Sequence, residues 1–209
     1  MATVLYDYWR SSASYRVRIA LGLAGLDWTS VPVDLVAGDQ RTPAHLARNP
    51  QGLVPALEID GLLLTQSLAI VEYLDETRGL GLLPDDAPGR ARVRALAHAI
   101  AMETAPVCNL SVRTYAAQIS GGTVSADDWQ RRFIGAGLAA FDALLDHPAT
   151  GTFCYGDTPT LPDLCLIPQI YNARRVGIDV ASLLRVAPIV ARLETLPAFA
   201  AAHPDHHKP

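Results

Sequence analysis

Apolar and polar positions change their spacing several times along this 209-residue chain, and each change marks an element. Val4, Leu5, Tyr6 and Tyr8 put β-branched and aromatic side chains into residues 4–8, which read as a strand. Val17, Ala20, Leu21 and Ala24 then recur at helical spacing, so a helix is predicted through Ala24. Residues 31–35 read as a second strand and residues 42–48 as a segment of variable character. Residues 56–59 and 62–64 read as the arms of an antiparallel hairpin turned on Asp60-Gly61, and a helix follows over residues 67–77. The order is that of a small mixed sheet with helices on its faces.

The pattern changes after residue 78. Gly79, Gly81, Pro84 and Pro88, with Asp85 and Asp86 between them, make residues 79–89 a linker, and everything beyond reads as helix. Val93, Leu96, Ala97 and Ile100 form one apolar stripe, and Phe133, Gly137, Ala140, Phe141 and Leu144 a second, with Gly121-Gly122 breaking the region between. Thr160-Leu161-Pro162-Asp163 has a hydroxyl residue at N-cap, an acid at N3 and an apolar run behind it, the signature of a capping box. The expected organisation is an α/β thioredoxin-like domain over residues 1–82, a linker over 83–89 and an all-α domain over 90–209. Neither an internal repeat nor a low-complexity tract is present.

Half of the residues are hydrophobic, enough for a buried core, while charged residues make up 18% and the formal net charge is −4. No strong field for nucleic acid or a membrane surface follows from that balance, and no apolar run is long enough to span a bilayer. No signal-like apolar stretch opens the chain, so the cytoplasm is the expected compartment. Cys108, Cys154 and Cys165 are an odd number without zinc-ligand spacing and read as reduced, buried residues. The histidines of the tail, His203, His206 and His207, are not expected to form a metal site, because a chain terminus offers no rigid ligand geometry.

Candidate chemistry concentrates where the first strand pattern meets the first helix pattern. Ser11, Ser12 and Ser14 sit at that junction. A serine there is first of all a helix cap, but a helix entered through serines also turns free N–H groups and the positive end of its dipole toward the loop. A thiolate, carboxylate or phosphate is favoured at such a place.

Three runs in the first third, Arg10-Ser11-Ser12-Ala13-Ser14-Tyr15-Arg16-Val17-Arg18, Asn49-Pro50-Gln51-Gly52-Leu53-Val54-Pro55 and Thr65-Gln66-Ser67-Leu68, together resemble a glutathione transferase. The first run, with Asn172-Ala173-Arg174-Arg175 near the other end, resembles the zeta class, which includes maleylacetoacetate and maleylpyruvate isomerases. The similarity extends through Asn109-Leu110-Ser111-Val112 and the segment from Tyr155 to Gln169, so it covers nearly the whole chain.

The resemblance implies glutathione as cofactor and a homodimer. It implies cis–trans isomerisation of maleylacetoacetate by thiolate addition, bond rotation and elimination. Isomerisation of maleylpyruvate, or conjugation and dehalogenation of small electrophiles such as α-haloacids, is the alternative; a non-catalytic interaction domain is a third class. Ser11, supported by Ser12, would stabilise the thiolate, with Ala13 beside them. A cis Val54-Pro55 bond would present Val54 to the cysteinyl backbone, Gln66 and Ser67 would take the γ-glutamyl carboxylate, Gln40 would reach the glycyl end, and Asn109 and Ser111 would complete the glutathione site. Arg10 and Arg175 would bind substrate carboxylates through paired donors, whereas Arg113 and Arg174 are expected to face solvent. Tyr6 and Tyr8 lie near the serines, but their strand positions favour packing. Two departures stand out: Ala13 where the family commonly has cysteine, and Ala105 where it has a polar residue that contacts glutathione from the second subunit.

Overall fold

The computed structural model describes residues 2–209, and these divide into two compact units, residues 2–81 with Pro197–Pro209, and Leu82–Leu196. In the first unit β1 (Val4–Asp7) is central: it pairs in parallel with β2 (Thr29–Pro32) and antiparallel with β3 (Ala56–Ile59), and β4 (Leu62–Thr65) completes the order β2-β1-β3-β4. Leu5, Tyr6 and Asp7 are all buried, because a central strand covered on both faces loses the alternation of a half-exposed one. α1 (Ser12–Leu23), α2 (Pro43–Arg48) and α3 (Ser67–Arg78) complete the α/β part, with α1 packed on α3 and Val17, Ile19, Ala20 and Leu21 of α1 buried.

One local detail differs from the sequence expectation. β2 ends at Pro32 instead of continuing through residue 35, because the Asp34 carboxylate accepts from the N–H groups of Val36 and Ala37 and turns the chain out of the sheet. The variable segment is helical: the Thr42 hydroxyl accepts from His45 N–H, and Pro43 occupies the first turn. The hairpin forms as expected, with Asp60 (φ 53°) and Gly61 (φ 80°) both left-handed, as a two-residue turn of this kind demands.

The second unit is helical: α4 (Ala87–His98), a π-helical stretch (Ala99–Thr104), α5 (Ala105–Val107), α6 (Leu110–Ile119), α7 (Ala126–Leu144), α8 (Leu161–Arg175) and α9 (Val186–Leu193). Val93, Leu96, Ala97 and Ile100 are buried as their spacing predicts. On α7 Phe141 of the predicted stripe is buried and Phe133 and Gly137 are half-buried, whereas Ala140 and Leu144 are exposed and Ile134, Leu138 and Leu145 complete the buried face. α8 is the core helix, and its capping box is formed, with the buried Asp163 carboxylate accepting from the N–H and hydroxyl of Thr160 at 2.8 and 2.9 Å. Burial raises the Asp163 carboxyl above its ordinary value, and these hydrogen bonds oppose the rise.

The expected boundaries also shift. Residues from Leu82 onward group with the helical unit, while the last segment, α10 (Pro197–Ala201) and residues 202–209, groups with the first unit instead of the helical one. The reason is specific pairing with α1: Tyr15 donates to Phe199 O, Arg18 Nε donates to Ala202 O at 3.2 Å, and Gly22 leaves room for Ala198. No helix among the described residues is long and apolar enough to cross a membrane.

Candidate active site

Ser11 is the N-cap of α1, and its hydroxyl oxygen accepts from Ser14 N–H at 3.2 Å. Capping uses only a lone pair, so the hydroxyl proton remains to be donated to an anion at the positive end of a 12-residue helix. Ser12 and Ala13 are the first two helical residues, half-buried beside it. The nearby tyrosines are engaged elsewhere: Tyr6 donates to Glu58 Oε1 at 3.0 Å, and the Tyr8 hydroxyl accepts from Arg10 Nη2 at 2.9 Å. Arg10 stacks over the Trp9 and Tyr8 rings, 4.9 and 5.7 Å from their centroids, which holds the guanidinium in the loop next to Ser11.

Three further segments of the first unit carry the remaining expected ligands. Gln66 is the N-cap of α3 with φ 68°, and its side chain does not cap the helix; instead Nε2 donates to Gln51 Oε1 at 2.7 Å. Ser67, buried, begins α3, and its hydroxyl accepts from Arg16 Nη1 at 3.2 Å. That bond leaves the Ser67 proton to donate, next to a helix N-terminus and a guanidinium, an arrangement suited to a carboxylate. The Val54-Pro55 bond is cis, and the N–H and C=O of Val54 have no hydrogen-bond partner among the described residues. A free donor and acceptor on one residue fit the backbone of an extended peptide, so this chain can hold glutathione as the resemblance implies. Gln40 lies in a short 3₁₀ turn (Asp39–Arg41), with Nε2 donating to Leu35 O at 3.4 Å.

Asn109, Ser111 and Arg175 belong to the second unit. Asn109 is the exposed N-cap of α6, and Ser111 lies in its first turn, at an apolar depression of about 500 Å³ formed with Val112, Tyr115, Ala116, Ile119 and Trp129. Arg175 ends α8, exposed, with Nη1 donating to Asn172 Oδ1 at 3.4 Å and its guanidinium 5.9 Å from the Tyr171 ring centroid. Arg174 pairs with Glu194 at the surface, whereas Arg113 is not simply solvent-facing: its side chain is largely covered and lies 3.7 Å from Asp127. None of the three cysteines forms a disulfide, and all three are buried. Burial pushes the Cys108 thiol up to about 11 and Cys154 well above its ordinary value, so neither supplies a thiolate near neutral pH. Among the described residues no group of three or more His, Cys, Asp or Glu side chains could hold a metal ion.

Several residues escaped the sequence reading. Arg16 and Arg18 are buried in α1; Arg18 Nη1 lies 2.6 Å from Asp7 Oδ2, and Nη2 donates to Trp9 O at 2.9 Å, which fixes the loop leading to Ser11. Asp7 also accepts from Ser30 at 2.6 Å. Charged residues inside the most apolar run of α1 were the available signal. His45 and Asn49, buried below the Val54 loop, offered none.

Residues 1–76 match the glutathione S-transferase N-terminal domain family. The chain is 60% identical to maleylacetoacetate isomerase of Rhizobium meliloti, over 99% of this chain and 98% of that one. Its structure is similar to that of a maleylacetoacetate isomerase from Methylobacterium extorquens solved with bound malonate and glutathione (TM-score 0.92, 42% identity, 99% and 98% of the two chains). It is also similar to the holo structure of a maleylpyruvate isomerase described as a bacterial zeta-class glutathione transferase (TM-score 0.91, 39% identity, 96% of each). The chain belongs to the glutathione transferase family, in the zeta class.

Proposed function

We propose that the protein isomerises maleylacetoacetate to fumarylacetoacetate with glutathione as coenzyme. The observation that carries this reading is Ser11, a capping serine whose proton is left to donate at the start of α1, in a chain 60% identical to a maleylacetoacetate isomerase. When bound, glutathione supplies the thiolate that adds to the conjugated double bond, permits rotation and leaves unchanged.

The chain's own residues make that thiolate available. A free thiol ionises near pH 8.5, and lowering this by about two units requires about 2.7 kcal/mol of preference for the anion. One hydrogen bond to a charged group contributes about 1.5–3 kcal/mol and a helix N-terminus about 0.3–1. Ser11 on α1 therefore suffices, with Ser12 in support, and no protein thiol is required at Ala13. Val54 holds the cysteinyl backbone, Ser67 and Gln66 the γ-glutamyl carboxylate, and Gln40 the glycyl end. Arg10, beside Ser11, binds a carboxylate of a small diacid. The enzyme acts as a cytoplasmic homodimer, which gel filtration at twice the 22.4 kDa chain mass checks.

The test is turnover of freshly generated maleylacetoacetate, with and without glutathione, by the wild type and Ser11→Ala. Turnover is expected to need glutathione and to fall about 10- to 100-fold in the variant at neutral pH, the equivalent of losing the charge-assisted hydrogen bond. The deficit should shrink above pH 9, where the thiol ionises unaided. Turnover without glutathione, or a variant as fast as wild type, would sink the reading. The similarity to a maleylpyruvate isomerase supports that substrate as the second reading, separated by the same assay with maleylpyruvate.

A further inference from the structure

We propose that His45 and Asn49 are positioning residues for glutathione, acting as a two-donor clamp on the Leu53 carbonyl that aims the N–H of Val54 at the cofactor. The inference rests on Val54 being part of the glutathione site.

His45 Nε2 lies 2.9 Å from Leu53 O, and Asn49 Nδ2 donates to the same oxygen at 3.0 Å. A carbonyl only accepts, so His45 carries its proton on Nε2. Both side chains are almost completely buried, and His45 Nδ1 has no hydrogen-bond partner, so that one bond is what the imidazole contributes. Asn49 does more: its Oδ1 accepts from Gln51 N–H at 3.1 Å and its backbone carbonyl accepts from Gly52 N–H at 2.9 Å, closing the turn that leads to Leu53.

The consequence follows from peptide geometry. The Leu53–Val54 peptide is trans, so Leu53 C=O and Val54 N–H lie in one plane and point in opposite directions. Two buried donors that draw the carbonyl toward α2 therefore turn the Val54 N–H away from α2. That N–H, and the Val54 carbonyl, have no partner among the described residues. The Val54 side chain packs against the cluster of Tyr6, Val33 and Ala56, which fixes the residue on its other side. The protein thus holds the plane rigidly and leaves its outward donor unused, which is preorganisation for a backbone acceptor on the ligand.

The test is steady-state kinetics with glutathione as the varied ligand, on His45→Phe, His45→Gln and Asn49→Asp, with thermal melts as a fold control. His45→Phe keeps a flat ring and removes the donor; His45→Gln restores an N–H donor. Asn49→Asp keeps the acceptor for Gln51 N–H and replaces the donor to Leu53 O with a repelling oxygen, so it carries the test should the phenylalanine variant fail to fold. KM for glutathione is expected to rise about fivefold to tenfold in His45→Phe and Asn49→Asp, the worth of about one hydrogen bond, with kcat at saturating glutathione within about twofold. His45→Gln should recover most of the loss, and the double variant should lose less than the product of the singles, because both act on one oxygen. An unchanged KM, a fall in kcat alone, or glutamine no better than phenylalanine would overturn the clamp. Calorimetry of glutathione on the wild type separates the two levels: no binding there removes the functional reading itself, whereas normal wild-type binding with unaltered variants removes only the clamp.

Discussion

Arg18 joins four parts of the first unit through one guanidinium: Asp7 on β1, the carbonyl of Trp9 before Ser11, Ala202 in the last segment and, through Asp7, Ser30 on β2. The pair is fully buried and its donors are used, the condition under which a buried ion pair is tolerated. Removing one partner leaves a buried charge uncompensated, so Arg18→Met is expected to lose about 3–5 kcal/mol of stability in urea denaturation, and the Asp7→Asn/Arg18→Met pair to lose less than the sum. A loss in the double variant equal to the sum of the singles would show that Arg18 and Asp7 do not act as a pair. Ser11 was legible because an N-cap is a local relation between a hydroxyl and an N–H three residues on. Arg18 was not, because its partners lie 9, 11 and 184 residues away and no spacing rule reaches them.

The same division between local and distant causes separates the elements. The Asp60-Gly61 hairpin and the Thr160–Asp163 capping box follow from a few adjacent residues and form as read. The face of α7 does not: Phe133, Leu144 and the true core residues all satisfy a helical period, and the choice is made by what lies opposite. Gly137 faces the π-helical stretch so closely that a Cβ there would lie 2.3 Å from Thr104 Oγ1 and 2.8 Å from its Cγ2. The close approach leaves no room for a side chain at Gly137, which is half-buried beside the core residues Ile134, Leu138 and Phe141. Gly137→Ala is expected to cost about 1–3 kcal/mol by overpacking, despite alanine's better helix propensity. Adding Thr104→Ala removes the clashing atoms and should restore part of that loss in the same thermal melt. A Gly137→Ala protein as stable as wild type would show that the two elements separate freely.

At the scale of the whole chain, the segment farthest from β1 in sequence closes the unit that β1 begins, and this the pattern of helices could not indicate. Residues 197–209 read as a continuation of the helical part because apolar spacing reports an element's type, not the surface it meets. Their attachment includes a titrating contact. His207 Nε2 lies 3.0 Å from Ala201 O, and its ring stacks on Trp28 with 6.3 Å between centroids. Burial, then the charge of Arg18, lowers its pKa below the ordinary 6.5. The unfolded or undocked segment therefore takes up a proton near pH 6.5 while the docked one does not, and over that window the undocked state binds more protons. Docking is fully favourable above pH 6.5 and weakens as pH falls toward the lowered value. Hydrogen exchange at residues 199–207, corrected for the intrinsic rate, should accordingly lose protection between pH 7.5 and 5.5. His207→Phe keeps the stacking ring and removes the titrating group, so its protection should stay level over the same range. Protection in the wild type that is constant or rises on acidification would show that His207 does not couple the segment to pH.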